Sequence, residues 1–500
     1  MWLAFYISDT SNHDWSFMAM ELENKLNIVS KPDFVKSIRR LFVTIVLAVV
    51  STALSGCGGD LFDFSQDQVS GKVTKTSGLS VGGARVYLVP LLRMNTTPSG
   101  VFTDGYGHYH FNNLDSGYWV MAVSYGTAIA WSQPVYIDEY ERDVIIDITS
   151  PFVSIESSFS SYNNTAHMIV SSNISHRTNG YTSGLNLITT AGWQEFFPIF
   201  NSQGWEFGKM DYNLSNPGEV VFAAGYAGQK DIFRFNMLTG EYYNLTQSDS
   251  VDENDPSFRP DGQAIVYSAD AYSDVYNSPE LWTMDRNGNN RQMLMSDQLY
   301  VDTTGDGNAN AWVYHSFLMP KWHDRNLTGS YGGSITFSFA SELNPGWSIG
   351  IASIDRPNMF YQLTNNPDAD DFSPQIHPLS TSGGFTIIFS RTEDSGVAGV
   401  SETHLYSLYS GNIDGGLATV YEYPVSGFGY GSGSIYGEIY PQFSRYGDYI
   451  SFVSTDGITD EVFSASYNRG FTSVDSVTNI NQWTLSPYGT MYSGPSLLVR

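Results

Sequence analysis

The sequence predicts an all-β chain, a small β-sandwich followed by a six-bladed β-propeller, and three observations predict it. Gly 47, Tyr 33, Phe 30 and Trp 11 among 500 residues favour pleated strands and tight connections over helices. Short runs of alternating apolar and polar residues recur along the chain, bounded by Gly, Asp, Asn and Ser. From about residue 155 onward these runs fall into repeated units. At 41% hydrophobic and 15% charged residues the chain is too apolar for a disordered protein and too long for one ordinary domain. Lys+Arg 24 against Asp+Glu 51 gives a formal charge of −27, which repels a phosphate backbone and excludes nucleic acid as a partner. The single cysteine excludes internal disulfides, four-cysteine zinc sites and redox pairs.

That cysteine ends an ordered series. Lys36, Arg39 and Arg40 precede an apolar run from Leu41 to Leu54, followed by Ser55, Gly56, Cys57 and Gly58. The run has the length of a signal-peptide core and falls short of the roughly 20 residues that span a membrane. It reads as an export signal; a buried helix that happens to end in cysteine leaves the order of charge, apolar run and small residues unexplained. The leader is long, and Met18 and Met20 are alternative starts. Leu54-Ser55-Gly56-Cys57 resembles a bacterial lipobox. The resemblance implies a lipidated thiol, a mature chain beginning at Cys57 and, with Gly58 in place of Asp, delivery to the outer membrane. Arg39-Arg40-Leu41-Phe42 resembles a twin-arginine signal, interrupted by Ile38. Residues 1–56 hold five basic and five acidic side chains, so the charge of −27 belongs to the exported part.

An acidic tether over residues 57–68 leads to strand patterns over 69–150: Val69 to Val73, Ala84 to Val89, Tyr109 to Phe111, Tyr118 to Val123 and Val144 to Ile148. Tyr109 and Phe111 alternate toward one face, with Gly107 and Gly117 allowing the turns beside them. His108 and His110 fall on the opposite face, placed to touch one metal or simply to face solvent. The segment from Thr103 to Val123, with Gly71-Lys72-Val73 and Gly83-Ala84-Arg85-Val86, resembles the carboxypeptidase regulatory-like family, which implies an accessory sandwich without catalysis.

Over 155–500 the sharpest unit starts at Asp255 and reads strand, Pro260-Asp261-Gly262 turn, strand, loop, strand, Asn-Gly turn, strand. Related units lie at Leu214 to Thr246, Leu318, Phe372 and Tyr440; Pro256, Pro320, Pro374 and Pro441 recur at intervals of 64, 54 and 67 residues. The stretch from His167 to Gly192 resembles the later strands of a unit, and the chain from Trp483 a beginning without an end. Joined, they close a ring and leave no open sheet edge, giving six blades. A sandwich or β-helix would use similar strand runs. The units resemble the TolB-like, WD-type propeller family, although Arg445 to Asp448 and Asp324 to Asn326 replace the Pro-Asp-Gly turn in two of them.

Few residues offer chemistry. Ser80 and Ser348 sit in G-x-S-x-G matches, but neither context predicts the strand-to-helix elbow a serine nucleophile needs. Asp302, Thr304 and Asp306 occupy the first, third and fifth positions of a calcium-type loop, with Gly307 at the turn and Val313 where the bidentate Glu belongs. Calcium is therefore the one candidate cofactor, beside the reading of an ordinary Asp/Asn/Gly loop. Tyr272 and Tyr276, and Phe428 and Tyr430, are candidate binding aromatics on long loops. The expectation is a non-enzymatic, lipid-anchored envelope protein whose propeller binds a protein or peptide. The alternatives are a polysaccharide-binding or polysaccharide-cleaving propeller and a surface adhesin.

Overall fold

The structure, a computed structural model, describes residues 68–90, 100–114, 116–126, 128–132, 135–138, 144–149, 153–154, 167–174, 184–189, 196–200, 205–213, 215–216, 218–226, 228–271, 278–304, 308–323, 333–380, 384–394, 401–410, 420–424, 437–444, 446–455, 459–468, 476–482 and 490–498. Every regular element among them is a strand.

The first nine strands build two sheets. β1 (Val69–Lys72), β4 (His108–Phe111) and β8 (Val144–Ile145) pair in the order β4-β1-β8. The second sheet joins β2 (Arg85–Pro90), β3 (Val101–Phe102), β5 (Gly117–Tyr125), β6 (Ala128–Trp131) and β9 (Val153–Ser154) in the order β3-β2-β5-β6-β9, with β7 (Val135–Ile137) also on β5. Between the sheets lies one apolar core containing Val69, Val86, Leu88, Tyr109, Phe111, Trp119, Met121 and Val123. On β4 the tyrosine and phenylalanine point inward and His108 and His110 outward, as the alternation predicts.

The second sheet is buried on both faces. Val86, Leu88, Met121 and Val123 face the sandwich core, while Tyr87 and Ala122, one step along in each strand, join the core of the next sheet with Phe222, Phe233, Phe235 and Met237. The Tyr87 hydroxyl donates to the Met237 carbonyl, Ser124 Oγ donates to the Leu238 carbonyl, and Arg85 pairs with Glu241 at 3.6 Å. Gly240, at φ +69°, lies so close that a Cβ there would meet the Tyr87 ring at 2.6 Å. The close approach of the two layers at this point thus leaves no room for a side chain at position 240.

Six sheets follow. Blade I holds β10 (His167–Ile174), β11 (Gly184–Thr189), β12 (Phe196–Phe200) and the last strand, β34 (Thr490–Leu498). Blade II is β13 (Glu206–Tyr212), β14 (Glu219–Tyr226), β15 (Gln229–Asn236) and β16 (Tyr242–Asn244). Blade III is β17 (Val251–Phe258), β18 (Ala264–Ala271), β19 (Glu280–Asp285) and β20 (Gln292–Met295). Blade IV is β21 (Gln298–Val301), β22 (Ala311–His323), β23 (Ser334–Ser341), β24 (Asn344–Ser353) and β25 (Phe360–Gln362). Blade V is β26 (Ala369–Ile376), β27 (Phe385–Asp394), β28 (Ser401–Ser410) and β29 (Val420–Pro424). Blade VI is β30 (Gly437–Phe443), β31 (Tyr449–Thr455), β32 (Asp460–Asn468) and β33 (Ser476–Gln482).

The inner strands β34, β13, β17, β22, β26 and β30 each touch the next around a closed ring. Closure is by β34 pairing with β10, so the two ends of the repeat region share blade I as the sequence predicts. The closing strand begins at Thr490 rather than at Trp483; residues 483–489 lie outside the described residues. Neighbouring blades bury their faces against each other, as in the cluster of Val221, Ile232, Phe258, Ile265 and Tyr267 between blades II and III. In the Asp255 unit the hairpin closes with Gly262 at φ +71° and its N–H on the Arg259 carbonyl at 2.7 Å. Blade VI makes the same turn without Pro-Asp-Gly: Gly447, at φ +80°, donates to the Ser444 carbonyl at 3.0 Å. A positive-φ glycine at that one position carries the turn, so loss of the proline and aspartate leaves it intact.

Candidate functional site at the propeller axis

Each inner strand carries a bulge at which two of its residues oppose one on the next strand. The repeating prolines mark these bulges: Pro256, Pro320, Pro374 and Pro441 fill the second place, and the preceding Asp255, Met319, Ser373 and Tyr440 adopt φ of 51°, 53°, 53° and 53°. A residue before proline disfavours helical backbone angles, and left-handed non-glycine residues cost on the order of 1–3 kcal/mol each. Four such residues at equivalent places are a repeated, strained feature of the axis. Blade II departs, with Gly208 and Lys209 in the bulge and no proline, and blade I has Gly494 and Pro495.

Side chains from non-neighbouring blades meet here. Lys321 of blade IV pairs with Asp211 of blade II, whose other oxygen accepts Ser257 Oγ and the Phe258 N–H of blade III, both at 2.9 Å. Gln442 Nε2 of blade VI donates to the Met210 carbonyl of blade II at 3.4 Å. The Met319 N–H donates to Asp255 at 3.1 Å, and Ser373 Oγ donates to the Met319 sulfur at 2.9 Å.

Lys209 is 5% exposed and Gln375 2%, yet Lys209 Nζ and Gln375 Nε2 make no hydrogen bond among the described residues. Burial lowers the Lys209 ammonium to about 8, with Lys321 adding to the fall and Asp255 and Asp211 resisting it. Burial raises the Asp255 carboxyl against the pull of Lys209. For both groups loss of water outweighs their mutual attraction. Tyr440 is pushed up to about 12 by burial and by the charges of Asp255 and Asp460. Buried donors of this kind favour a ligand that brings acceptor oxygens, since leaving a buried amine unpaired costs several kcal/mol by the order of magnitude for buried polar groups.

Sequence reasoning missed Lys209 and Asp211 because β13 lacks the proline that marks its equivalents. The signal was nonetheless present: counting back from the Val220-to-Ala224 strand places Gly208 and Lys209 at the bulge, with Lys209 where the other units carry their proline.

Of the predicted site residues, few lie among the described ones. Asp302 Oδ1 accepts both the Thr304 N–H at 2.9 Å and Thr304 Oγ1 at 3.0 Å; Asp306 lies outside the described residues. Cys57, Tyr272, Tyr276, Phe428 and Tyr430 also lie outside them. His108 and His110 are exposed, and His108 Nδ1 sits 3.3 Å from Asp104 Oδ2. Among the described residues no group of three or more His, Cys, Asp or Glu is placed to hold a metal ion. Ser80 pairs with Thr74 in an isolated antiparallel bridge before β2, and Ser348 is buried within β24. No described helix is long and apolar enough to cross a membrane.

No protein-family model matches the sequence, and no curated protein matches it. Among solved structures the chain is similar to TolB from Acinetobacter baumannii, at 12% identity and a TM-score of 0.43 over 78% of this chain and 81% of that one. It is also similar to an oligogalacturonate lyase from Vibrio parahaemolyticus (12% identity, TM-score 0.35, 78% of this chain and 99% of that one). A third is a DUF4784 family protein from Bacteroides caccae (9% identity, TM-score 0.36, 86% of this chain and 98% of that one).

Proposed function

We propose that the protein is a non-catalytic binding scaffold of the bacterial envelope, anchored in the outer membrane through lipidated Cys57, whose propeller takes a carboxylate-bearing protein or peptide segment at its axis. The observation that carries the binding reading is the pair of buried donors Lys209 Nζ and Gln375 Nε2 on blades II and V, which have no hydrogen-bond partner among the described residues. Blades II and V are three steps apart in a ring of six, and both residues lie on inner strands, β13 and β26. A carboxylate brings acceptor oxygens for such donors and a charge for the ammonium; a neutral hydroxyl offers no charge. The anchor rests on the order of charges, apolar run and Cys57 in the sequence.

A peptide library displayed with free carboxyl termini and acidic side chains tests the axis. The wild-type chain, held in detergent, should enrich carboxylate-bearing peptides. Lys209→Met should lose that enrichment while its melting temperature stays within about 3 °C, a change equivalent to roughly 1 kcal/mol. Equal enrichment by both proteins overturns the reading. Release of unsaturated products from oligogalacturonate, with manganese supplied, would install the polysaccharide-cleaving alternative. Fatty-acid labelling that persists in Cys57→Ala would remove the anchor.

A further inference from the structure

Away from the axis, blade IV has an arm that the other described blades lack. Its inner strand β22 runs 13 residues, against seven to nine in β13, β17, β26, β30 and β34. Only the part from His315 onward pairs with β23; the first residues pair instead with β21 as a separate hairpin. On this arm Leu299 and Val313 are buried, anchoring one face. On the other face Tyr300 and Trp312 stand directly opposite each other, 52% and 65% exposed, their ring centroids 5.2 Å apart at 46°. A cross-strand aromatic pair stabilises a hairpin by roughly 0.2–1 kcal/mol, but mutual contact at this tilt leaves broad ring faces in water.

Next to the rings in the chain, the side chains of Asp302, Thr303, Thr304 and Asn310 hydrogen-bond to one another. Asn310 Oδ1 accepts Thr303 Oγ1 at 2.8 Å, Asn310 Nδ2 donates to Thr304 Oγ1 at 3.0 Å, and Asp302 binds Thr304. An aromatic platform edged by fixed hydroxyl, amide and carboxylate groups matches a pyranose ring, whose apolar C–H face stacks while its hydroxyls reach sideways to polar partners. Two further features select the class. The formal charge of −27 opposes anionic lipid surfaces, uronate polymers and nucleic acids. Rigid aromatic and hydrogen-bonded side chains lose little entropy on binding, which suits small contact areas.

We infer that the Tyr300–Trp312 face of the β21–β22 arm is a binding site for neutral polysaccharide, separate from the axis.

The test is retention of the full chain, in detergent, on microcrystalline cellulose, chitin and insoluble mannan. Wild type is retained on at least one of the three. Trp312→Ala reduces retention at least tenfold, Trp312→Phe restores part of it, and Lys209→Met leaves it unchanged. Since Trp312→Ala also removes the cross-strand pair, Thr303→Ala, which leaves the pair in place, serves as a second variant and reduces retention with an unaltered circular dichroism spectrum. Absence of wild-type retention on all three matrices overturns the inference, as does equal retention of Trp312→Ala. Binding to vesicles of zwitterionic lipid without binding to any glycan would replace it with a membrane contact. Loss of peptide enrichment in Lys209→Met alongside intact glycan retention separates the failure of one site from that of the other.

Discussion

In the sandwich, Gln68 is fully buried and every polar end of its amide is used: Nε2 donates to the Leu114 and Asp138 carbonyls at 3.1 and 3.0 Å, and Oε1 accepts the Leu114 N–H at 2.7 Å. Thr103 Oγ1 likewise donates to the Val81 carbonyl and accepts the Ala84 N–H. At the propeller axis, Lys209 and Gln375 are buried to a similar degree and have donors without hydrogen-bond partners among the described residues, beside four residues held at positive φ. Both regions are all-β and both are buried, so fold class does not account for the difference. Satisfied burial fixes a structure; unsatisfied burial raises its energy until a water, an ion or a ligand completes the hydrogen bonding.

The largest expected effect is therefore in the satisfied, apolar region. Trp119 is fully buried at the centre of the sandwich core. Trp119→Ala should cost about 3–5 kcal/mol, the range for removing a buried Trp, and calorimetry measures it. A loss no greater than that of Lys209→Met would break the contrast.

A second, smaller effect lies at the joint. Gly240→Ala places a Cβ 2.6 Å from the Tyr87 ring at a backbone angle an L-residue rarely adopts. The ring has little room to yield, because its hydroxyl is bonded to the Met237 carbonyl and its other neighbours are core side chains. A cost of roughly 1–3 kcal/mol is expected, and one calorimetric transition should become two as sandwich and propeller uncouple. Two transitions already present in wild type would show that the shared core does not couple them.

How much of this was legible in the sequence varies with the range of the interaction. Period-two alternation placed Tyr109 and Phe111 inside and His108 and His110 outside, because a strand's faces are fixed locally. The Pro260-Asp261-Gly262 turn was legible for the same reason, and ring closure because the two ends of the repeat region carry complementary parts of one unit. The burial of Tyr87 was not, since alternation gives it the face away from the sandwich core, and the layer that covers it comes from residues about 150 positions later. Lys209 was hidden because its strand lacks the repeat's proline, and its environment is made by side chains from blades III and IV. The long loops proposed as binding aromatics are outside the described residues and remain sequence expectations.

The smallest effect is conditional on pH and sharpens the contrast within the propeller itself. Glu253 on β17 is buried, accepts Ser248 Oγ at 2.9 Å and Thr246 Oγ1 at 3.3 Å, and lies near Asp231. Burial, with Asp231 adding to it, raises its carboxyl from 4.5 to about 8, against the opposing pull of the Ser248 and Thr246 hydroxyls. The folded protein then holds this proton more tightly than the unfolded chain does. Its contribution to stability is full below pH 4.5 and is lost as pH rises toward 8. Glu253→Gln keeps the neutral form at every pH, so the mutant should melt within a degree or two of wild type near pH 4.5 and above it at pH 8, the gap widening through that interval and amounting to a few degrees. Lys209→Met should not reproduce this difference, because the ammonium titrates in the opposite sense and only from about pH 8 upward. Parallel melting curves for wild type and Glu253→Gln across the interval would mean that the carboxyl is ionised in the folded state, held by the hydroxyls of Ser248 and Thr246, and that this inter-blade site belongs with the satisfied polar groups of the sandwich rather than with the axis.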